Sequence, residues 1–199
     1  MKYNPDIHQR HSIRLKGFDY SQAGAYFVTI CVRNRECLFG NMVDGKVQMN
    51  DVGRVVQTVW EELPKRYPGV GTDASIVMPN HVHGIVVFTD HVGAGLALSN
   101  QNITPNKQGA ASSAPTLGDI IRAFKSLSAI GVNRRFGRSG QSLWQRNYYE
   151  HILRTEDDLN RIRQYIRDNP MNWETDEENP KRTGLYPAGR FDKLLSWDG

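Results

Sequence analysis

Two histidines separated by one residue, His81 and His83, are the side chains in this sequence best suited to chemistry. They lie in an apolar, β-branched stretch, residues 75–88, which is typical of a buried strand. Because successive side chains of a strand point to opposite faces, both imidazoles should share one face, with Val82 on the other. Hydrogen bonds or a solvated face could satisfy them. Burial without partners would cost several kcal/mol, so we favour a role as ligands of one divalent cation.

A tyrosine and an asparagine further along the chain could complete such a site. Tyr165 and Asn169 are four residues apart in a segment of helical periodicity, so they should lie one turn apart on one side of a helix. Without other information, Tyr165 is expected at the boundary of the apolar face, and Asn169 as a helix C-cap before Pro170. If this edge faces the histidines, Asn169 could offer a carbonyl oxygen to the cation and Tyr165 a nucleophilic hydroxyl.

Other residues compete for both roles. Tyr148 and Tyr149 are adjacent tyrosines in an aromatic segment, but neither has an amide one helical turn away. His151 and His91 are alternative third ligands, and His91 falls in a segment rich in Gly, Ala, Ser and Asn that is typical of a loop.

The elements that must position these residues follow one another at short intervals. In order they are a strand at 25–32, a hairpin around Asp44-Gly45, a helix capped by Asn50 or Asp51, the histidine strand, a helix capped by Thr116, a strand-like segment at 142–153, and a helix from Thr155 to about Asn169. The intervals are too short for repeated βαβ units. This order predicts an α+β fold in which helices pack on an antiparallel sheet.

Composition limits the classes of protein to consider. The chain has 199 residues, 39% of them hydrophobic, and no apolar stretch near the roughly 18 residues that a membrane-spanning helix needs. Its first residues lack the apolar core of a signal peptide, so we expect a cytoplasmic protein without membrane association. Cys31 and Cys37 lie too close together for a zinc framework and lack a second pair, which favours reduced, partly buried thiols.

Basic residues are concentrated near the candidate chemistry. The net charge is +4, and residues 117–171 contain ten Lys and Arg against six acidic residues. An acidic run, residues 174–178, follows directly. This distribution indicates a polyanionic partner, for which nucleic acid is the first candidate.

His81-Val82-His83, followed by Trp144-Gln145 and by Tyr165-Ile166-Arg167-Asp168-Asn169-Pro170, resembles the REP-associated tyrosine transposases. These are single-tyrosine transposases of the His-hydrophobic-His endonuclease superfamily. The resemblance covers roughly residues 12–173. It implies a ferredoxin-like antiparallel sheet that carries His81 and His83 as metal ligands, and a helix that carries Tyr165 as nucleophile. It also implies Asn169 as the polar third ligand, a position that is often Gln in relatives from the smallest insertion sequences.

The chain is expected to divide into three regions, and the resemblance implies a substrate. We expect a basic arm at 1–20, a catalytic domain at 21–173 with a flexible loop at 89–115, and a tail at 174–199. The implied partner is a single-stranded DNA hairpin formed by a palindromic repeat, bound by a monomer or a homodimer. Candidates for DNA contact, as phosphate contacts or stacking platforms, are Arg14, Lys16, Arg122, Lys125, Trp144 and Arg146.

The expected reaction is metal-dependent cleavage and joining of single-stranded DNA through a 5′-phosphotyrosine intermediate. A tyrosine hydroxyl has a pKa near 10 in water and needs electrostatic help to attack phosphorus. Imidazole and amide ligands with open positions suit Mg²⁺ or Mn²⁺. Two alternatives stay open: a hydrolase that uses water on a cation held by His81, His83 and His151, and a domesticated protein that binds folded single strands without cutting them.

Overall fold

Four helices and a four-stranded antiparallel sheet make up most of the part of the chain that this computed structural model describes, residues 22–89 and 115–182. The strands are β1 (Gly24–Cys31), β2 (Gly40–Val43), β3 (Lys46–Met49), β4 (Val70–Val77), β5 (His81–Phe88) and β6 (Tyr149–Leu153). The helices are α1 (Asp51–Glu61), α2 (Leu63–Arg66), α3 (Leu117–Arg135) and α4 (Glu156–Asp168), with 3-10 turns at Arg33–Arg35 and Pro170–Thr175. None of the described helices is long and apolar enough to cross a lipid bilayer.

Several predicted features lie outside the described residues. These are the basic arm with Arg14 and Lys16, nearly all of the predicted loop at 89–115 with His91, and the tail beyond residue 182.

The strand order confirms the predicted fold class. The sheet runs β4-β5-β1-β6, and every neighbouring pair is antiparallel. If the inserted β2-β3 hairpin and the short α2 are set aside, the order of elements from β1 to β6 is β-α-β-β-α-β, which is that of a ferredoxin-like fold, and α4 follows it. The hairpin turns at Asp44 and Gly45 with φ of 49° and 68°, as the Asp-Gly dipeptide predicts.

One prediction about the histidine segment is wrong. Residues 75–88 form two strands and not one, because β4 ends at Val77 and β5 begins at His81. The turn contains Pro79, which has no amide hydrogen to give a sheet ladder, and Met78 donates its amide hydrogen to the carbonyl of His81 (2.8 Å). β4 itself was not predicted, since its first half is polar and is interrupted by a bulge between Thr72 and Ser75.

The two faces of the sheet carry different helices. Val82, Val86 and Phe88 of β5 belong to the core under α1 and α3, whereas Ile85 and Val87 belong to the core under α4. His81 and His83 alternate with Val82, so both imidazoles lie on the α4 face, as the period of a strand predicts. The tyrosine helix and the histidine strand therefore share one side of the molecule.

Capping residues set where the long helices begin. The Thr116 hydroxyl accepts from the amide of Asp119, and the Thr155 hydroxyl accepts from the amide of Asp158. In both cases the aspartate carboxylate accepts a hydrogen bond from the backbone amide of the threonine, which completes the predicted capping box.

Candidate metal centre and nucleophile

The two imidazoles of the site are adjacent and fully buried. The Nε2 atoms of His81 and His83 are 2.9 Å apart, and neither side chain is exposed to solvent. Their Nδ1 atoms point away from each other and meet separate partners. Nδ1 of His83 lies 2.9 Å from the hydroxyl oxygen of Thr29, and Nδ1 of His81 lies 2.9 Å from the amide oxygen of Asn80.

Helix α4 brings Tyr165 to this pair. Its stripe of Leu159, Ile162 and Ile166 is buried against the sheet, and this packing holds the Tyr165 ring edge-on to Phe27 with ring centroids 6.0 Å apart. The Tyr165 hydroxyl lies 3.4 Å from Nε2 of His83.

An ion pair ties the same helix to the edge strand. The guanidinium of Arg163 donates twice to the carboxylate of Asp73 on β4, at 2.7 and 2.9 Å. This hydrogen-bonded pair holds the pKa of Asp73 below its usual range. The bond fixes the position of α4, and with it Tyr165, relative to the sheet.

Asn169 lies one turn beyond Tyr165 on the same side of the helix. Its amide nitrogen donates to the Tyr165 hydroxyl (3.1 Å) and to a carboxylate oxygen of Asp176 (3.1 Å). Both donors of the amide are thus engaged, which sets its orientation. The amide oxygen is buried and accepts no hydrogen bond from any described group. An orphaned buried oxygen beside two imidazoles fits an atom that is reserved for a cation.

Asp176 is a site residue that the sequence did not reveal. It falls in the segment that was assigned to a tail, but the 3-10 turn Pro170–Thr175 returns the chain to the histidines. Ligand atoms of His81, His83 and Asp176 all lie within 4.8 Å of one another, and all three residues are buried, so this group could hold a metal ion. The available signal was the short spacing between Asn169 and the acidic run.

Burial keeps the imidazoles neutral. Desolvation lowers the pKa of His81 to about 4, although the nearby Asp176 carboxylate and Asn169 side chain act in the opposite direction. The pKa of His83 is also lowered, first by burial and then by the neighbouring His81. Neutral imidazoles keep the lone pair that metal binding requires, so this environment suits a cation. Two imidazoles, an amide oxygen and a carboxylate are together a donor set that could hold a divalent cation.

A second group of side chains, Cys31, Arg35 and Glu178, lies near the end of β1 beside His81. The Arg35 guanidinium lies 3.0 Å from the carboxylate of Glu178. The thiol of Cys31, opposite His81 in the sheet, is buried, and burial together with Glu178 raises its pKa. It therefore stays protonated, and a protonated thiol is a poor metal ligand.

The residues proposed for DNA contact have differing environments. Arg122 is exposed and pairs with Asp119 (2.9 Å), and Arg146 is exposed. The Lys125 ammonium donates to the carbonyls of residues 145, 146 and 147 at 2.9 to 3.3 Å, and burial lowers its pKa to about 8. Trp144 is 6% exposed, and its indole nitrogen donates to the Ser128 hydroxyl. Trp144 is thus part of the core, and the half-buried Lys125 ties α3 to the segment before β6, so both contribute to the fold.

Of the rival tyrosines, Tyr149 lies on the α4 face of the sheet, in register with Thr29, which is itself in register with His83, whereas Tyr148 packs on the opposite face. The ammonium of Lys125 lies over the Tyr148 ring, 5.5 Å from the centroid of that ring. The Tyr149 ring packs edge-on to Phe27. His151 lies opposite Phe27 on β6, and it is not in the metal-ligating group found in the described residues.

One of two similar solved structures shares the fold of this chain. A solved structure of a REP-associated tyrosine transposase bound to a REP hairpin is 18% identical, with a TM-score of 0.51 over 80% of this chain and 72% of that one. A candidate transposase from Deinococcus radiodurans R1 is also 18% identical, with a TM-score of 0.45 over 78% of this chain and 97% of that one. No protein-family profile matches the chain.

The chain thus has the fold of a REP-associated tyrosine transposase, which agrees with the resemblance of its motifs. An uncharacterised protein of Haemophilus influenzae (strain Rd) is 40% identical over 178 residues, which cover 88% of this chain and 96% of the relative. The chain belongs to the same family as that protein.

Proposed function

We propose that this protein is a metal-dependent single-stranded DNA endonuclease and strand transferase. It cleaves at hairpin-forming palindromic repeats through a 5′-phosphotyrosine intermediate. The observation that carries the proposal is the position of the Tyr165 hydroxyl, 3.4 Å from His83 and hydrogen-bonded to Asn169 beside a group of metal-ligating side chains. Its fold, shared with a transposase that was solved with a REP hairpin, is the second support.

His81, His83, Asn169 and Asp176 would hold the cation. They offer two neutral imidazoles, an unpartnered amide oxygen and a carboxylate, and oxygens of the substrate could supply further ligands. When bound, Mg²⁺ or Mn²⁺ polarises the scissile phosphate and offsets the charge on its oxygens.

Tyr165 is the nucleophile. Its oxygen forms a bond to phosphorus while the bond from phosphorus to the 3′ oxygen breaks. The phenol loses its proton and the departing 3′ oxygen gains one, so atoms and charge balance. The amide of Asn169 donates to the tyrosine oxygen, and such a bond stabilises the negative charge that the oxygen develops as its proton leaves.

The rigid placement of the helix contributes to the rate. The buried stripe of α4 and the Arg163–Asp73 pair fix the tyrosine oxygen, so that little orientational freedom is lost on the way to the reaction. The phosphotyrosine bond keeps the energy of the broken phosphodiester. A free 3′ hydroxyl can therefore attack it and rejoin strands.

The substrate can reach the site only after a covering group moves. His81 and His83 are fully buried, and the Trp173 ring lies near the His81 ring with centroids 6.0 Å apart. Arg122 and Arg146, which are exposed, and Arg14 and Lys16 in the N-terminal arm are the basic residues that we assign to DNA phosphates.

The products of one reaction test the proposal. Purified full-length protein is incubated with Mn²⁺ and labelled single-stranded hairpins that carry the palindromic repeats flanking its gene, then denatured. A cut strand whose 5′ end is linked to protein is the expected result. Cut strands without protein would make it a hydrolase, and hairpin binding without any cleavage would make it a binding protein, so either result would overturn the proposal.

A further inference from the structure

We propose that Asn80 is a positioning residue that sets the tautomer of His81, with the proton on Nδ1 and the lone pair on Nε2. This inference rests on the proposed function, because it assigns to Asn80 the task of presenting His81 to the cation.

The orientation of the Asn80 amide is fixed by two backbone carbonyls. Asn80 is fully buried, and its amide nitrogen lies 2.9 Å from the carbonyl oxygen of Arg35 and 2.7 Å from that of Glu178. A carbonyl only accepts, so the group that faces both must be the NH₂ group, and each of its hydrogens has a partner. The amide oxygen of Asn80 therefore faces His81.

This orientation determines which imidazole nitrogen of His81 carries the proton. The Asn80 oxygen lies 2.9 Å from Nδ1 of His81 and only accepts hydrogen bonds, so Nδ1 must donate. A neutral imidazole has one N–H, which leaves the lone pair on Nε2, the atom that faces His83. Partners of this kind fix the tautomer and orientation of ligating histidines in metal sites.

His83 has no such constraint at its own outer nitrogen. Its Nδ1 lies against the hydroxyl of Thr29, which can donate or accept. Two lone pairs would repel at the 2.9 Å that separates the Nε2 atoms, so without a cation His83 must donate from Nε2 to His81. The two histidines thus hold opposite tautomers in the metal-free protein, and the hydroxyl of Thr29 allows His83 to change.

Backbone strain near the site has a role in this arrangement. Asn34 and Arg35 have φ of 58° and 56°, a conformation that is uncommon for residues other than glycine. The carbonyl of Arg35 in this turn accepts a hydrogen bond from the Asn80 amide, and the guanidinium of Arg35 forms a salt bridge with Glu178. Strained residues persist where surrounding contacts determine them, and they concentrate at functional sites.

Asn80 also links His81 to the segment that carries Asp176. The Asn80 amide donates to the carbonyl of Glu178, which lies two residues beyond Asp176 in the chain. The backbone amide of Glu178 in turn donates to a carboxylate oxygen of Asp176 at 2.7 Å. Loss of the Asn80 side chain would therefore free the His81 ring to change its orientation, and would also loosen the segment that brings the Asp176 carboxylate to the site.

Nitrogen NMR of the metal-free protein tests the inference directly. Histidine labelled with ¹⁵N distinguishes protonated from unprotonated ring nitrogens, and a His81→Gln variant assigns the signals. We expect wild-type His81 to carry its proton on Nδ1 and wild-type His83 to carry it on Nε2. A His81 proton on Nε2 would overturn the inference, and this measurement requires no Asn80 variant to fold.

Variants add a functional readout. We expect Asn80→Ala to lose the single tautomer and to bind Mn²⁺ about 10- to 100-fold more weakly, measured by electron paramagnetic resonance. Asn80→Asp keeps an acceptor for Nδ1 and should keep the tautomer, but its second oxygen faces the two carbonyls with no hydrogen to donate, so this variant should be less stable than wild type. Asn133→Ala on α3, which removes a similar side-chain hydrogen bond to the carbonyl of Gln141, is the matched control and should change neither readout. An unchanged tautomer and affinity in Asn80→Ala would overturn the inference.

The two proposals fail in different ways. If wild-type His81 shows the expected tautomer but the protein binds no Mn²⁺ and forms no DNA adduct, the proposed function fails while the tautomer assignment stands. If the adduct forms but His81 carries its proton on Nε2, the function stands and the role of Asn80 is wrong.

Discussion

The hydroxyl of Tyr165 lies 3.4 Å from Nε2 of His83, although 82 residues separate the two in the chain. The contact exists because both residues use the same face of the sheet. The alternation of β5 turns His83 toward α4, and the buried stripe of α4 turns Tyr165 toward β5. This contact joins the two halves of the candidate site.

Asp176→Asn should weaken Mn²⁺ binding by about 10- to 100-fold, because it removes a buried negative charge beside the two histidines. Calorimetric titration of Mn²⁺ measures the change. Asp157→Asn, on the exposed first turn of α4, is the matched control and should leave the affinity unchanged. Equal affinities for the Asp176 variant and wild type would show that its carboxylate has no part in cation binding.

Acid should destabilise the metal-free protein before most carboxylates titrate. The pKa of His81 is about 4 in the folded protein and about 6.5 in an unfolded chain, so the unfolded state binds the proton first as pH falls. The contribution of His81 is fully present above pH 6.5 and is lost between 6.5 and 4, on the order of 3 kcal/mol. Burial of His83 acts in the same direction.

Urea denaturation at a series of pH values checks this dependence. His81→Gln should show a shallower loss of unfolding free energy over the same range, because one buried imidazole no longer has to charge. A wild-type protein that is equally stable at pH 7 and pH 4.5 would rule out the burial of neutral histidines.

Gly84→Ala should disrupt the histidine strand. A Cβ at this position would lie 2.2 Å from the Trp60 ring, which is buried beneath β5, so the strand or the ring would have to shift. We expect a loss of about 1–3 kcal/mol or more in unfolding free energy. Gly71→Ala in β4 is the matched control, since its Cβ would make ordinary contacts at 3.8 Å, and its melting temperature should match that of wild type.

Lys125 and Arg146 should respond differently to substitution. Lys125→Met removes the donor that binds three backbone carbonyls, and we expect a loss of about 1–3 kcal/mol in stability. Arg146→Ala, at an exposed position, should leave stability within about 0.5 kcal/mol. It should instead weaken hairpin binding and lower the salt dependence of binding by about one released ion. If Arg146→Ala binds the hairpin as wild type does at every salt concentration, Arg146 has no contact with phosphate.

The parts of the site that local sequence could predict are those set by the period of one element. The shared face of His81 and His83 follows from strand alternation, and the row of Tyr165 and Asn169 follows from helical spacing. The capping boxes at Thr116 and Thr155 fixed the starts of both long helices in the same way.

The parts that were missed depend on contacts between distant segments. Asp176 reaches the histidines because the chain beside it is held by two distant residues. Arg35 donates to the carbonyl of Glu177, 142 residues away, and Asn80 donates to the carbonyl of Glu178, 98 residues away. The turn at Pro79 was hidden by apolar residues on both sides. The burial of Trp144 and the three backbone partners of Lys125 likewise depend on tertiary packing, which sequence spacing does not specify.

The residue that becomes linked to DNA is the most direct test of the account. Full-length protein, a palindromic hairpin with single-stranded flanks and Mn²⁺ are combined, and the denatured product is digested and mapped by mass spectrometry. The account predicts a nucleotide on Tyr165, an adduct that is absent in Tyr165→Phe, and one that persists in Tyr149→Phe. An adduct on any other residue, or one that survives in Tyr165→Phe, would contradict it.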